Sequence, residues 1–241
     1  MFEFWNYKWE CAMEGHRLIH PDYPYMYYEE RYVTNISDRS AALSIGPALV
    51  DHITYWDGTV YHPSIGGGLI RSVDTFGYGT YSAKIQMPEG SGLWPSFWLC
   101  GDGPWPDSGE IDIEEGYSDH KYLRLFTPYF PWFNPSWTTT NNIHYSKDGE
   151  HKQAGPRSIS IFKQCSDPTK AIIEYKCIWK PDEIRIYAND TEVRRDTKVV
   201  QYFPKDIKMH VIINALCEDP AKHKVSIDTS MLVTNFIYQP L

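Results

Sequence analysis

Short segments in which apolar and polar residues alternate recur along this chain, at 41–45, 79–87, 172–179, 183–188, 208–214 and 231–238, with turn residues between them. A period of two is that of a strand with one face buried. Pro181-Asp182 and Asn189-Asp190 bracket segment 183–188 as hairpin turns do. Nowhere does an i, i+3, i+4, i+7 pattern persist for three turns, so the pattern predicts few and short helices. Many strands at near-regular spacing predict an all-β sandwich or barrel. With no repeat, linker or low-complexity tract, residues 1–241 read as one domain.

Two stretches break the rhythm. Residues 122–137 (YLRLFTPYFPWFNPSW) carry three prolines and seven aromatic residues. Proline at that density is excluded from a central strand, so the segment reads as an aromatic loop or edge excursion. It is either a satellite hydrophobic cluster or one wall of a binding groove. The second stretch is Glu110-Ile111-Asp112-Ile113-Glu114-Glu115, after the turn-rich segment 101–109. Ile111 and Ile113 would enter the core while Glu110 and Asp112 share the opposite face. Like charges so placed are destabilising, and a third carboxylate follows at Glu114 or Glu115.

Such a cluster fits three roles: a solvated acidic edge, a cation site, or a catalytic pair for glycosidic bonds. Retaining cleavage needs two carboxyl groups about 5–5.5 Å apart. Positions i and i+4 of a strand are roughly 13–14 Å apart at Cα, a gap that converging side chains and a β-bulge would close. Asp112 between them would oppose ionisation of its neighbours, and the acids would titrate as a coupled set.

Composition favours the third role. The chain has 9 Trp, 18 Tyr and 10 Phe, and flat rings both fill pleated cores and stack on sugars. The formal charge of -8 argues against nucleic acid as a partner. No apolar run approaches the ~18 residues of a membrane span, and the start lacks the basic and apolar regions of a signal peptide. Cys11, Cys100, Cys165, Cys177 and Cys217 show no paired spacing, so they read as free thiols. The sequons at Asn35 and Asn189 are too short to indicate secretion.

Upstream of the acids the chain reads GLWPSFWL at 92–99, then WPDSGEIDIEE at 105–115. Here it resembles glycoside hydrolase family 16, in particular its laminarinase-like branch, whose catalytic strand reads E-x-D-x-E or E-x-D-x-x-E. The likeness extends to 67–88, to the hairpin 174–187 and to the closing segment 231–239. It implies a concanavalin A-like jelly-roll β-sandwich with an open concave cleft. The implied activity is retaining endo-cleavage of a β-linked polysaccharide, first β-1,3- or mixed β-1,3/1,4-glucan. The alternatives are a galactan of the agar, porphyran or carrageenan type, or a non-catalytic carbohydrate-binding lectin on the same fold. A sulfated galactan would call for basic groove residues, for which Lys121, Arg124, Lys147 and Lys152 are available.

The resemblance places the nucleophile at Glu110 and the assisting carboxylate at Asp112. An unbulged strand would make Glu114 the acid/base and a bulged one Glu115; the GLWPSFWL context accompanies the bulged form, which implies Glu115. Glu114 then stands where the family has an apolar residue, and a charge there must find a partner or face solvent. Trp105, Trp98 and His144 match substrate-binding positions, while Arg71 and Asn214 receive no role. Catalysis needs neither metal nor cofactor. The branch's structural calcium uses a closing-strand aspartate where this chain has Thr234, although Asp228 is near. The expected partner is polysaccharide alone, with the chain a monomer, and such a function favours an extracellular location.

Overall fold

The computed structural model describes residues 1–13, 18–20, 22–37, 39–55, 57–118, 137–159 and 167–241, with backbone only for 157–159. Two nine-stranded sheets face each other, with a separate small hairpin of Ile53–Thr54 and Val60–Tyr61. The first sheet runs in the order Phe2–Phe4, Tyr7–Glu10, Leu69–Ser72, Met209–Asn214, Ser96–Gly101, Glu110–Ser118, Trp137–Lys147, Glu150–Gln153, and Arg157–Ile159 also pairs with Trp137–Lys147. The second runs Thr191–Asp196, Ile184–Ala188, Ile173–Trp179, Gly79–Gln86, Thr229–Pro240, Ser40–Pro47, Ile65–Gly67, Met26–Tyr28, and Val33–Ser37 lies against Ser40–Pro47. Among the described residues all pairings are antiparallel except that of Met26–Tyr28 with Ile65–Gly67. The fold is the all-β jelly-roll sandwich that the alternation and the family resemblance led us to expect. Helical structure among the described residues is confined to short turns such as Glu30–Tyr32 and Val200–Tyr202.

The alternating segments bury the face they should. Ile173–Trp179 sets Ile173, Tyr175, Cys177 and Trp179 inward, and Ile184–Ala188 does the same with Ile184, Ile186 and Ala188. Phe236, on the closing strand, joins the two sheets. Its ring meets Trp9 edge-on at 5.4 Å and Phe97 edge-on at 6.4 Å, both from the first sheet. Part of the aromatic excess is therefore core, where each such ring contributes about 1.5–3 kcal/mol by burial. Cys11, Cys177 and Cys217 are buried free thiols, and Cys100 is half-buried. Segment 122–136 lies outside the described residues, as do Cys165, Lys121 and Arg124; Trp137 opens a strand and is buried.

The acidic strand Glu110–Ser118 sits in the first sheet between Ser96–Gly101 and Trp137–Lys147. Four successive residues, Ile111 to Glu114, are buried in it, which a regular half-buried strand does not allow. The pairing gives the reason. Trp98 stands opposite Asp112, but Phe97 stands opposite Glu114, so Ile113 has no partner. On the other side Asp112 pairs with Asn142 and Glu115 with Thr140, leaving Asn141 opposite two residues. This is a β-bulge, and it resets the alternation by one residue.

Candidate active site

The bulge decides which acids share a face. Glu110 and Asp112 point away from the core before it, Glu115 after it, and Glu114 turns inward beside Phe97. Gly109, at φ +76°, lets the preceding loop turn into the strand where a side chain would also press on Phe203. Across the acid-bearing face, Glu110 is flanked by Cys100 and His144, Asp112 by Trp98 and Asn142, and Glu115 by Ser96 and Thr140.

Glu110 and Asp112 bring carboxylate oxygens within 4.8 Å of each other, and the neighbouring Trp105 indole favours the Glu110 anion. Burial first, then the charge of Asp112, pushes Glu110 well above the ordinary carboxylate value, against the opposing effect of Trp105. Asp112 is 4 % exposed, and its Oδ2 lies 3.2 Å from His144 Nε2. Glu115 Oε1 accepts hydrogen bonds from the Trp94 indole at 3.1 Å and the Tyr117 hydroxyl at 2.9 Å. Burial and the charge of Asp112 raise Glu115 to about 7, while these two bonds and His144 hold it down. Glu110 and Glu115 are therefore raised for a physical reason: little water reaches them and the charge of Asp112 opposes theirs.

Glu114 is fully buried and neither carboxylate oxygen has a hydrogen-bond partner among the described residues. Its carboxyl lies against Gly116, where an added Cβ would come within 3.1 Å of Oε1 and 2.8 Å of Trp137. A charge here would have to find a partner or face solvent, and among the described residues Glu114 has neither. Burial raises its pKa well above the usual value, so it avoids the cost of a buried charge by keeping its proton.

Aromatic groups stand at both ends of the acid row. At the Glu115 end, Trp94 stacks on Tyr117 with centroids 5.4 Å apart and meets Tyr23 edge-on at 5.2 Å. At the Glu110 end, Trp105 lies 6.2 Å from the His144 ring and 4.6 Å from that of His151. Trp105 is 48 % exposed, so it is a platform and not a core ring. Trp98 is half-buried on the same face, and its indole donates to Asn214 Oδ1 at 2.8 Å.

All six residues singled out in the sequence, Glu110, Asp112, Glu115, Trp105, Trp98 and His144, thus lie on or beside one sheet face. Sequence reasoning missed the hydrogen bond of Trp94 to Glu115, and it missed Tyr117, Tyr23 and His151. Tyr117 had a signal, since it stands two positions from Glu115. Arg71, left without a role, is tied to Glu10 at 2.5 Å. Glu110, Asp112 and His144 each bring a ligand-capable atom within 4.8 Å of the others. Among them, Asp112 Oδ2 lies 3.2 Å from His144 Nε2. Thr234 on the closing strand contacts the Lys84 carbonyl at 3.4 Å.

Comparison with known proteins bears on this face directly. The profile of glycosyl hydrolases family 16 matches residues 51–230, which include every acid of the row. A keratan-sulfate endo-1,4-beta-galactosidase of Sphingobacterium multivorum is 27 % identical over 169 residues, 66 % of this chain and 34 % of its own length. A beta-glucanase of Rhodothermus marinus is 24 % identical over 226 residues, 86 % of this chain and 68 % of its own length. The chain therefore spans about a third of the first of these relatives. Among solved structures, one from work on endo-acting O-glycanases of the human gut microbiota superposes with a TM-score of 0.71 at 16 % identity, covering 97 % of this chain and 84 % of that one. The fold, the bulged acidic strand and a profile match across three-quarters of the sequence lead to one assignment: the chain belongs to glycosyl hydrolases family 16.

Proposed function

We propose that this chain is a retaining endo-hydrolase of β-linked polysaccharide, acting as a monomer on β-1,3- or mixed β-1,3/1,4-glucan. The observation that carries the reading is the bulge, which gathers Glu110, Asp112 and Glu115 on one aromatic-flanked face. Family membership and the beta-glucanase relative, whose match covers the larger share of this chain, support the substrate class.

In this mechanism Glu110 attacks the anomeric carbon, and the bond to the leaving sugar oxygen breaks as Glu115 protonates that oxygen. Glu115 then takes a proton from water, which attacks the glycosyl–Glu110 ester and restores both groups. A nucleophile must be anionic, yet burial and Asp112 raise Glu110. Because the two carboxyls interact, they titrate as a coupled pair, and the reaction draws on the state in which Glu110 is the anion. Glu115, raised to about 7, holds its proton at neutral pH. The steps draw on side chains alone, with no metal or cofactor.

Digestion of a glycan panel, followed by product sizing and proton NMR of the first anomer formed, tests the reading. We expect internal cleavage of laminarin or mixed-linkage glucan with the β-anomer appearing first. In Glu110→Gln, turnover should fall by about four orders of magnitude or more while oligosaccharide binding persists. Near-normal turnover would remove Glu110 as nucleophile, and binding without product from every glycan would leave the lectin reading. The Sphingobacterium relative favours a second substrate, a galactan backbone. Against a sulfated one, Lys152 is paired with Glu150 at 2.6 Å and Lys147 lies over the Tyr202 ring.

A further inference from the structure

The edge strand Glu150–Gln153 carries a histidine that the proposed chemistry does not use. Gln153 is the register partner of His144, and His151, two positions away, lies on the same face. His151 Nε2 is 2.8 Å from His144 Nδ1. Two ring nitrogens at that distance hold one hydrogen between them.

The other nitrogen of His144 shows which ring donates. Nε2 of His144 is 3.0 Å from the Asn142 amide nitrogen. That amide is fixed in orientation, since its oxygen accepts from the Ile143 N–H at 2.9 Å and its nitrogen also donates to Gln153 Oε1 at 3.1 Å. An amide donor facing Nε2 requires a lone pair there, so the hydrogen of neutral His144 sits on Nδ1 and runs to His151. Asp112 Oδ2, buried and without a hydrogen-bond donor among the described residues, lies 3.2 Å from the same Nε2. A proton reaching His144 enters between that lone pair and that oxygen. The imidazolium so formed still needs an acceptor for its Nδ1–H, and His151 is the acceptor in place.

We propose that His151 is a positioning residue: by accepting the Nδ1–H of His144 it keeps Nε2 available to hold a proton against Asp112. The proposal rests on the functional reading above and extends it to proton placement. The titratable groups facing this pair are Glu110, Asp112 and Glu115 from the acidic strand; Lys152 and its partner Glu150 adjoin His151 along the hairpin but on the other face, and Trp105 contributes an uncharged ring. Burial, then the charges of His144 and Lys152, lowers the pKa of His151, which keeps it a neutral acceptor. A charged His144 in turn opposes the rise of Glu115.

His151→Phe retains a flat ring against Trp105 without an acceptor, whereas His151→Gln supplies an amide oxygen. We expect the basic limb of kcat/KM in His151→Phe to move up by about half a pH unit, with kcat several-fold lower and KM within about twofold. The Gln variant should restore the limb. In substrate-free protein, the nitrogen-15 signal of His144 Nδ1 should move in the Phe variant and return in the Gln variant. An unmoved limb and signal in His151→Phe would overturn the proposal. So would a Gln variant that falls with Phe, because ring packing on Trp105 would then carry the effect. Should the wild-type protein release no product from any glycan, the functional reading fails and the nitrogen-15 comparison alone judges the proton placement.

Discussion

Glu114 and Glu115 are neighbours in sequence and lie on opposite sides of one sheet. Both are withdrawn from water, yet their surroundings differ. Glu115 receives two hydrogen bonds, from Trp94 and Tyr117, and its pKa settles at about 7. Glu114 receives none among the described residues and is pushed well above the ordinary carboxylate value by burial. Burial alone makes a permanently neutral acid. Burial tempered by donors that prefer the anion makes one that exchanges its proton in the working range.

The largest expected effect separates the pair kinetically. Glu115→Gln should lower kcat on polysaccharide by about 10²–10⁴-fold, while substrates with an activated leaving group, which need no proton, remain cleaved. Glu114→Gln should stay within roughly tenfold of wild type on both. If Glu114 shows the leaving-group pattern instead, the bulge does not present the acid/base and the comparison breaks.

A second test concerns stability. Replacing Glu114 by the similarly sized Met removes a buried, unpartnered carboxyl and should stabilise the fold by about 1–3 kcal/mol at neutral pH, measured by urea denaturation. The sign with pH follows from the raised folded value. The contribution of the neutral acid is fully present below the unfolded value of about 4.5 and is lost as pH rises toward the folded one. Wild-type stability should therefore decline with pH more steeply than that of Glu114→Met. Parallel curves would mean that Glu114 is charged in the native protein.

The smallest effect sharpens the Glu115 side. Because its acid form is needed, kcat/KM should fall as pH rises through about 7. Trp94→Phe and Tyr117→Phe each remove a donor that favours the anion, so each should move that limb upward, by about half a unit. A downward move in the pH–rate profile would contradict the role given to those bonds.

Much of this was legible from residue order. Alternation identified the strands 173–179 and 184–188 and placed Glu110 and Asp112 together, because the two-residue period of a strand is read directly. Alternation did not locate the bulge; Ile113 and Glu114 look like the next regular pair, and only the family resemblance chose Glu115. Contacts across sequence distance were beyond local patterns. Tyr23 meets Trp94 from a separate loop, and His151 reaches His144 through a hairpin whose register is set by its turn. The sequence shows that a charge at Glu114 needs a partner or solvent, but not that burial would leave the group neutral instead.

The bulge also has a consequence for how such a strand changes length over evolution. It absorbs one residue between Asp112 and Glu115 without altering which side chains face outward on either side. Removing Ile113 and closing the ladder would leave Glu110, Asp112 and Glu115 on one face and Glu114 on the other. The two spellings of the family's acidic strand, with one residue or two before the last glutamate, are therefore the same surface at different lengths. An indel of one codon at this point is silent for the arrangement of the acids, although anywhere else in the strand it would turn every following side chain over.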